Sequence, residues 1–157
     1  MAEALARQAV AALAAAGATL ATAESLTGGM LGEKITGVSG SSAIYRGGVI
    51  SYCNAVKAAV LGVSAWDLET LGAVSAPVAK QMARGARRVL AADYALSTTG
   101  IAGPNSDETG KPVGLVYIAC CGPAGCRVRE LRLTGDRAAI RQATCRAALQ
   151  LLLETLA

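Results

Sequence analysis

The stretch Ala18–Thr36, ATLATAESLTGGMLGEKIT, decides the fold class. Its first six residues, Ala18–Ala23, are small or apolar and carry no charge, which predicts a short buried strand. The chain then turns at Gly28 and Gly29 and enters a segment that is typical of a helix. A buried strand that leads through a glycine turn into a helix is characteristic of α/β proteins.

The segments on both sides of this stretch continue the alternation of helices and strands. Before it, the spacing of apolar residues predicts a helix over Ala2–Ala16 that ends at Gly17. After it, we expect a strand at Gly47–Tyr52, a further strand in DYALSTTG, a hairpin across GPAG and a last helix that opens at GDRAAIRQAT. No linker or repeat is visible. We therefore predict a single three-layer α/β domain over residues 1–157, with a mixed β-sheet flanked by helices.

The composition excludes disorder and a membrane span. Hydrophobic residues make up 53% of the chain and charged residues 17%. No run of about 18 apolar residues occurs, as a spanning helix would need. The apolar beginning is interrupted by Glu3 and Arg7 at helical spacing, so it is interpreted as an amphipathic helix and not as a signal peptide. We expect a cytoplasmic protein.

Charge and cysteine content narrow the possible partners. The net charge is +4, there is no Phe and only one Trp, and the basic residues are scattered, so a nucleic-acid partner is not expected. Five cysteines without a CxxC pair, in a chain without histidine, predict neither a disulfide framework nor a zinc site. Cys120, Cys121 and Cys126 are interpreted as small apolar residues of a strand and hairpin. No metal and no other cofactor is expected.

The stretch Gly40–Lys57, GSSAIYRGGVISYCNAVK, carries the most chemistry. Because the chain has no histidine, a nucleophilic serine would need another base, and a lysine qualifies only when burial lowers its pKa. Lys57 lies beside an apolar helical run, and Tyr52 could donate a hydrogen bond to it or to a serine. Ser41 and Ser42 lie in a glycine-led turn. The same residues are equally compatible with a turn cap, a solvated lysine and an ordinary strand tyrosine, so the spacing alone leaves both interpretations open.

Two helix beginnings are candidate anion sites. At Thr27, Gly28 and Gly29 a strand enters a helix, so backbone N–H groups could hold an anion, although an ordinary capped turn has the same sequence. In TGDRAAIRQAT, Arg137 and Arg141 lie one turn apart on one helix face. Cations there oppose the helix dipole unless an anion or the acidic cap compensates.

The loop IAGPNSDETGKP follows a strand that ends at Gly100. Its position at the carboxyl end of a strand suits a ligand crevice, and its glycines permit close approach of the backbone. It is interpreted either as a lid over a ligand or as a surface excursion.

Six segments together resemble the C-terminal domain of the CinA (competence/damage-inducible) family, the nicotinamide-nucleotide amidases. They are TAESLTGG, TGVSGSSAIYRGGVISYCNAVK, LGVSAWDLETLGAVS, STTGIAGP, KPVGLVYIA and LTGDRAAIRQAT, in family order and over nearly the whole chain. The chain is similar to the stand-alone form of the family. It departs from the pattern at Leu26, where family members often have Cys, and at Cys53, where Ser or Thr is common.

The resemblance implies hydrolysis of the carboxamide of nicotinamide mononucleotide (NMN) to nicotinate mononucleotide and ammonia, in pyridine-nucleotide salvage. It implies Ser42, the second serine of GSS, as nucleophile, with Tyr52 and Lys57 as activating partners. Lys57 would be the base and Tyr52 would orient or relay the proton. The implied substrate-binding residues are Thr27, Gly28, Gly29, Ser41, Arg46, Gly100, Arg137 and Arg141.

Two other functions remain open at this stage. A noncatalytic nucleotide-binding module would keep the same pocket without turnover. An interaction domain for DNA-uptake or repair proteins follows only from the family's name. The expected partners are a small nucleotide substrate and a second copy of the chain in a homodimer.

Overall fold

The computed structural model describes every residue from Met1 to Ala157 and consists of six α-helices and one five-stranded sheet. The helices are α1 (Ala2–Ala16), α2 (Met30–Thr36), α3 (Asn54–Leu61), α4 (Ala65–Thr70), α5 (Ala76–Val89) and α6 (Arg137–Leu156). The strands are β1 (Leu20–Glu24), β2 (Tyr45–Ile50), β3 (Tyr94–Gly100), β4 (Leu115–Gly122) and β5 (Gly125–Arg132). A short 3₁₀ turn, Ser41–Ala43, precedes β2.

The sheet is mixed, as predicted, with strand order β2-β1-β3-β4-β5. β1 pairs in parallel with both β2 and β3, whereas β4 runs antiparallel to β3 and to β5. The carboxyl ends of β1, β2 and β3 therefore meet at one edge of the sheet. β4 begins at the same edge, because Gly100 pairs with Val116.

Helices cover both faces of the sheet, which confirms the three-layer architecture. One core joins α1, α2 and α6 to the sheet, and its fully buried members include Leu13, Leu31 and Leu149. The other joins α3, α4 and α5 to the opposite face, around Val78 and Met82. Burial of each side chain of this size stabilises the fold by about 1.5–3 kcal/mol.

Two glycines explain local features of the chain. Gly17 ends α1 at the predicted residue, because its φ of 64° is the left-handed conformation that glycine adopts at low cost. Gly85 of α5 lets α3 pack closely, since a Cβ there would lie only 2.0 Å from the carbonyl oxygen of Leu61. Any larger residue at 85 would push α3, and the residues it carries, away from α5.

The structure differs from the sequence prediction at three places. β2 begins and ends two residues earlier than predicted, so Tyr52 lies beyond the strand. The segment around Trp66 is interpreted from the sequence as irregular, but it forms a helix, α4, which is capped by Ser64. Cys121 and Cys126 form a disulfide bond, because they face each other directly beside the tight turn between β4 and β5. None of the helices combines the length and the apolar character needed to cross a membrane.

Candidate active site

The side chain of Lys57 is buried at the carboxyl edge of the sheet. It lies in the first turn of α3, and only 1% of the residue is exposed. Its Nζ atom donates to the hydroxyl of Ser25 at 3.0 Å and to the carbonyl oxygen of Ser51 at 2.7 Å. No carboxylate lies within ion-pair distance of it. Burial without a negative partner lowers the pKa of Lys57 to about 8, so a fraction of about one tenth is neutral near pH 7.

Ser25 is the serine beside this amine. It follows the last residue of β1 directly and begins the connection to α2, and its N–H donates to the carbonyl oxygen of Thr98 on β3 at 3.0 Å. Ser25 is not among the predicted site residues, because the sequence of this segment is interpreted as an anion site at Thr27, Gly28 and Gly29. The position of Ser25 in the sequence could have indicated its role. Ser25 and Lys57 each follow the carboxyl end of a predicted strand, and such ends meet in a parallel sheet.

The predicted nucleophile, Ser42, lies elsewhere. It is exposed in the 3₁₀ turn before β2, whereas Lys57 follows β2. The six residues of β2 separate the two ends by about 20 Å. The prediction that Ser42 is the serine next to Lys57 is therefore wrong, since an extended strand carries its two ends apart. Ser41 is buried in the same distant turn and does not line the cavity described next.

A cavity of about 600 Å³ opens beside Ser25 and Lys57. This volume is within the usual range for small-molecule sites. The cavity lies where β1 is flanked by β2 on one side and β3 on the other, which is the usual ligand position in such sheets. Its wall includes Gly100, one of the residues predicted to bind substrate, and much of the loop over residues 101–109.

The backbone beside Ser25 has a hydrogen-bond donor without a partner in the chain. The N–H of Leu26 makes no hydrogen bond within the chain, and Leu26 lines the cavity. In hydrolases with a strand-turn-helix nucleophile, the N–H of the residue after the nucleophile stabilises the oxyanion. Leu26 occupies the corresponding position relative to Ser25.

Tyr52 lines the cavity but contacts neither Ser25 nor Lys57 by a hydrogen bond. It is 63% exposed, and its hydroxyl accepts a hydrogen bond from Arg137 at 3.3 Å. The predicted contact with the serine or the lysine is therefore not made. The shift of the end of β2 explains this, because Tyr52 leaves the sheet before α3 begins.

The first predicted anion site is occupied by a side chain of the protein. The Glu24 carboxylate accepts the N–H groups of Gly29 at 3.2 Å, Leu31 at 2.8 Å and Gly32 at 3.0 Å. Thr27 is buried and its hydroxyl bonds to Thr98. The N–H of Gly29 is therefore not free for the phosphate predicted at Thr27, Gly28 and Gly29, because Glu24 already compensates the beginning of α2, and none of the three residues lines the cavity.

The two predicted arginines of α6 have different surroundings. Arg137 lines the cavity and donates to the carbonyl oxygen of Gly103 at 2.7 Å. Arg141 instead donates to the carbonyl oxygens of Leu26 at 2.9 Å and Thr27 at 3.1 Å, so it supports the backbone next to Ser25. Only Arg137 is a candidate anion ligand within the cavity, and the role predicted for Arg141 is corrected accordingly.

The remaining predicted substrate ligand, Arg46, lies away from the cavity. It belongs to β2 and donates to the carbonyl oxygen of Leu90, which follows α5. It faces the amino end of the sheet and does not line the cavity, so the structure does not bring this predicted substrate ligand together with Lys57. The chain contains no group of three or more His, Cys, Asp or Glu side chains that could hold a metal ion.

Comparison with known proteins identifies related sequences and structures. The model of the CinA C-terminal domain matches residues 2–156. A CinA-like protein from Geobacter sulfurreducens is 51% identical over 85% of this chain and 32% of its own length. One from Acaryochloris marina is 57% identical over 75% of this chain and 28% of its own length. The chain thus spans about a third of the length of these curated relatives.

Solved structures share the whole fold. A competence/damage inducible protein from Agrobacterium tumefaciens is 41% identical, with a TM-score of 0.94 over 98% of this chain and 94% of that one. A CinA superfamily protein from Klebsiella pneumoniae is 33% identical, with a TM-score of 0.96 over 99% of this chain and 98% of that one. The chain therefore belongs to the CinA C-terminal domain family.

Proposed function

We propose that the chain is an amidohydrolase that converts NMN to nicotinate mononucleotide and ammonia, with Ser25 as the nucleophile and Lys57 as the base. The observation that carries this proposal is the 3.0 Å hydrogen bond between Nζ of Lys57 and the hydroxyl of Ser25, in surroundings that favour the neutral amine. A serine hydroxyl needs such a base, and the chain has no histidine to supply one.

The first half of the reaction forms an acyl-enzyme. The neutral amine of Lys57 takes the proton of the Ser25 hydroxyl, and Oγ of Ser25 attacks the carboxamide carbon. The N–H of Leu26 donates to the oxyanion, a contact that is typically worth about 3 kcal/mol. The C–N bond then breaks, and the Lys57 ammonium returns its proton to the departing ammonia.

The second half releases the acid. Lys57 is neutral again and takes a proton from water, which attacks the ester carbon of the acyl-enzyme. The bond to Oγ of Ser25 breaks, and Lys57 returns the proton to that oxygen. The carbonyl oxygen of Ser51 holds the amine in place throughout, because it accepts one of its hydrogens at 2.7 Å.

Arg137 is the proposed ligand of the substrate phosphate. It is the one arginine that lines the cavity, and guanidinium groups suit phosphate oxygens. Its present partners, Tyr52 and the carbonyl oxygen of Gly103, are neutral and can be exchanged for an anion. Tyr52 would then be a substrate contact and not a proton relay.

The setting of the reaction belongs to the same proposal. We infer from the family resemblance a role in pyridine-nucleotide salvage in the cytoplasm, as a homodimer that uses no metal or other cofactor. Light scattering of the purified chain tests the dimer, since it reports the mass in solution.

Ammonia release from NMN tests the proposed function. The wild-type chain should release ammonia, Ser25→Ala should lose at least about 1000-fold in kcat, and the matched control Ser42→Ala should retain full activity. Activity in a folded Ser25→Ala variant would exclude Ser25 as the nucleophile. Calorimetric binding of NMN without ammonia release by the wild-type chain would replace the amidase with a noncatalytic nucleotide-binding module.

A further inference from the structure

Glu24 is a buried carboxylate directly before the proposed nucleophile, and the proposed reaction does not use it. Only 2% of the residue is exposed, and no lysine or arginine lies within ion-pair distance of it. A buried charge is costly unless it is paired or hydrogen-bonded. Glu24 meets this requirement entirely through backbone N–H groups at the beginning of α2.

These contacts join the two ends of the segment that carries the proposed nucleophile, Ser25. We call residues 25–29 the nucleophile turn. Glu24 lies at one end of this turn as the last residue of β1, and its carboxylate holds the other end at Gly29 and the first turn of α2. One residue therefore fixes both ends of the turn. Ser25 and the N–H of Leu26 lie between them.

The backbone of Glu24 is also connected to the base. Its carbonyl oxygen accepts the N–H of Ser51 at 2.8 Å, and the carbonyl oxygen of Ser51 accepts Nζ of Lys57 at 2.7 Å. A displacement of Glu24 would thus move the nucleophile turn relative to Lys57. Geometry errors of about 1 Å at a reacting centre reduce rates by about 100-fold.

We propose that Glu24 is a positioning residue, whose carboxylate holds the nucleophile turn so that Ser25 faces Lys57 and the N–H of Leu26 faces the cavity. This inference rests on the proposed amidase function. The alternative is a purely structural role, in which Glu24 satisfies the N–H groups of α2 and stabilises the fold without influencing the transition state.

Glu24→Gln is the first test, because it keeps the shape and removes one acceptor oxygen. The new NH₂ group must face an N–H donor at one of the three contacts, which disturbs the beginning of α2. We expect kcat for ammonia release from NMN to fall about 100-fold and KM to change less than about threefold. Glu33→Gln, on the exposed face of the same helix, is the matched control and should leave both unchanged.

Binding of 3-pyridylboronic acid separates positioning from folding. Its tetrahedral adduct with a serine resembles the intermediate. Multiplying the apparent dissociation constant by the folded fraction of each variant gives the value for the folded chain. Glu24→Gln should weaken boronate binding by about the factor lost in kcat, while calorimetry with nicotinate mononucleotide shows unchanged affinity. Unchanged boronate affinity, with kcat reduced only in proportion to the folded fraction, would establish the purely structural role.

Glu24→Asp provides a second variant if Glu24→Gln does not fold. It keeps the charge but withdraws the carboxylate by one methylene group, so the same loss of kcat and boronate affinity is expected. A folded variant of either kind with the wild-type kcat overturns the role of Glu24. A wild-type chain that neither releases ammonia nor binds the boronate overturns the proposed function instead, so the two failures are distinct.

Discussion

At its amino end, β2 follows a turn in which Ser42 is exposed; beyond its carboxyl end lies Lys57, buried against Ser25. The hydroxyl of Ser42 has no hydrogen-bond partner in the chain, whereas that of Ser25 accepts from an amine whose pKa burial lowers to about 8. The two serines have the same chemistry in isolation. Their surroundings differ, and the comparison shows that burial of the base is what makes one end a candidate site. The following predictions test that difference.

The largest effect is expected for Lys57→Met. Methionine fills the same apolar space but cannot accept a proton, so kcat for ammonia release should fall about 1000-fold or more. The free energy of unfolding should change little, because removal of a buried amine without a counter-ion offsets the loss of its hydrogen bonds to Ser25 and Ser51. Lys34→Met, at a partly buried lysine of α2 that does not line the cavity, is the matched control. Substantial activity in folded Lys57→Met would place the base elsewhere.

The second prediction concerns pH. Lys57 must be neutral to accept a proton, so kcat/KM should rise about tenfold per pH unit and level off above the pKa of about 8. Rate measurements with NMN over this range test it. A profile that is flat below pH 8, or that falls with rising pH, would contradict a lysine base.

The same shift makes stability depend on pH. The pKa of Lys57 is about 8 in the folded chain and 10.5 for an ordinary lysine, so the unfolded state binds more protons between these values. The free energy of unfolding contributed by this group should therefore rise with pH across that window. Urea unfolding of the wild type and of Lys57→Met compares the slopes, and equal slopes would exclude the shifted pKa.

A smaller effect is expected for Arg137→Ala. If the guanidinium holds the ground-state phosphate, KM for NMN should rise about tenfold while kcat changes less than about threefold. Arg46→Ala, on β2 and directed away from the cavity, is the matched control and should leave KM unchanged. Equal KM values for the two variants would mean that another group binds the phosphate.

The smallest effect is expected for Asp136→Ala. The Asp136 carboxylate accepts the N–H of Ala139 at 2.8 Å and caps α6, so its loss should reduce the free energy of unfolding by about 1 kcal/mol. Because Arg137 is the next residue, KM should rise slightly, by less than about twofold. Thermal unfolding measures the first change, and unaltered stability would show that the cap contributes nothing.

The fold class was predictable because strand and helix signals are local. The helix over Ala2–Ala16 matches to the residue, and the mixed sheet follows from alternating units with one hairpin. The end of β2 lies two residues before its predicted position, since the sequence GGVISY is compatible with a strand that ends at Ile50 or at Tyr52. The predicted strand therefore includes Tyr52 at its end, where the tyrosine is expected to be a partner of Lys57.

The site was only partly predictable. Lys57 is predicted because it lies in the first turn of a helical segment beside an apolar run, and Gly100 because it ends a strand before the loop that follows. Ser25 and Glu24 are not predicted, for a physical reason. A carboxylate that follows a strand is expected to be exposed to solvent. Its three N–H partners are known only once the position of α2 relative to β1 is known. Because β2 is extended, it separates Ser42 from Lys57, and Ser25 at the end of β1 is the serine that contacts the lysine.

The antiparallel hairpin has a practical consequence for engineering this chain. β4 begins at the cavity and runs eight residues away from it, so its turn at Pro123 and Ala124 lies about 26 Å from the reactive edge. The Cys121–Cys126 bond joins the two strands at the base of that turn. A peptide tag or a fluorescent reporter inserted there would be anchored by the disulfide bond and would lie far from the cavity.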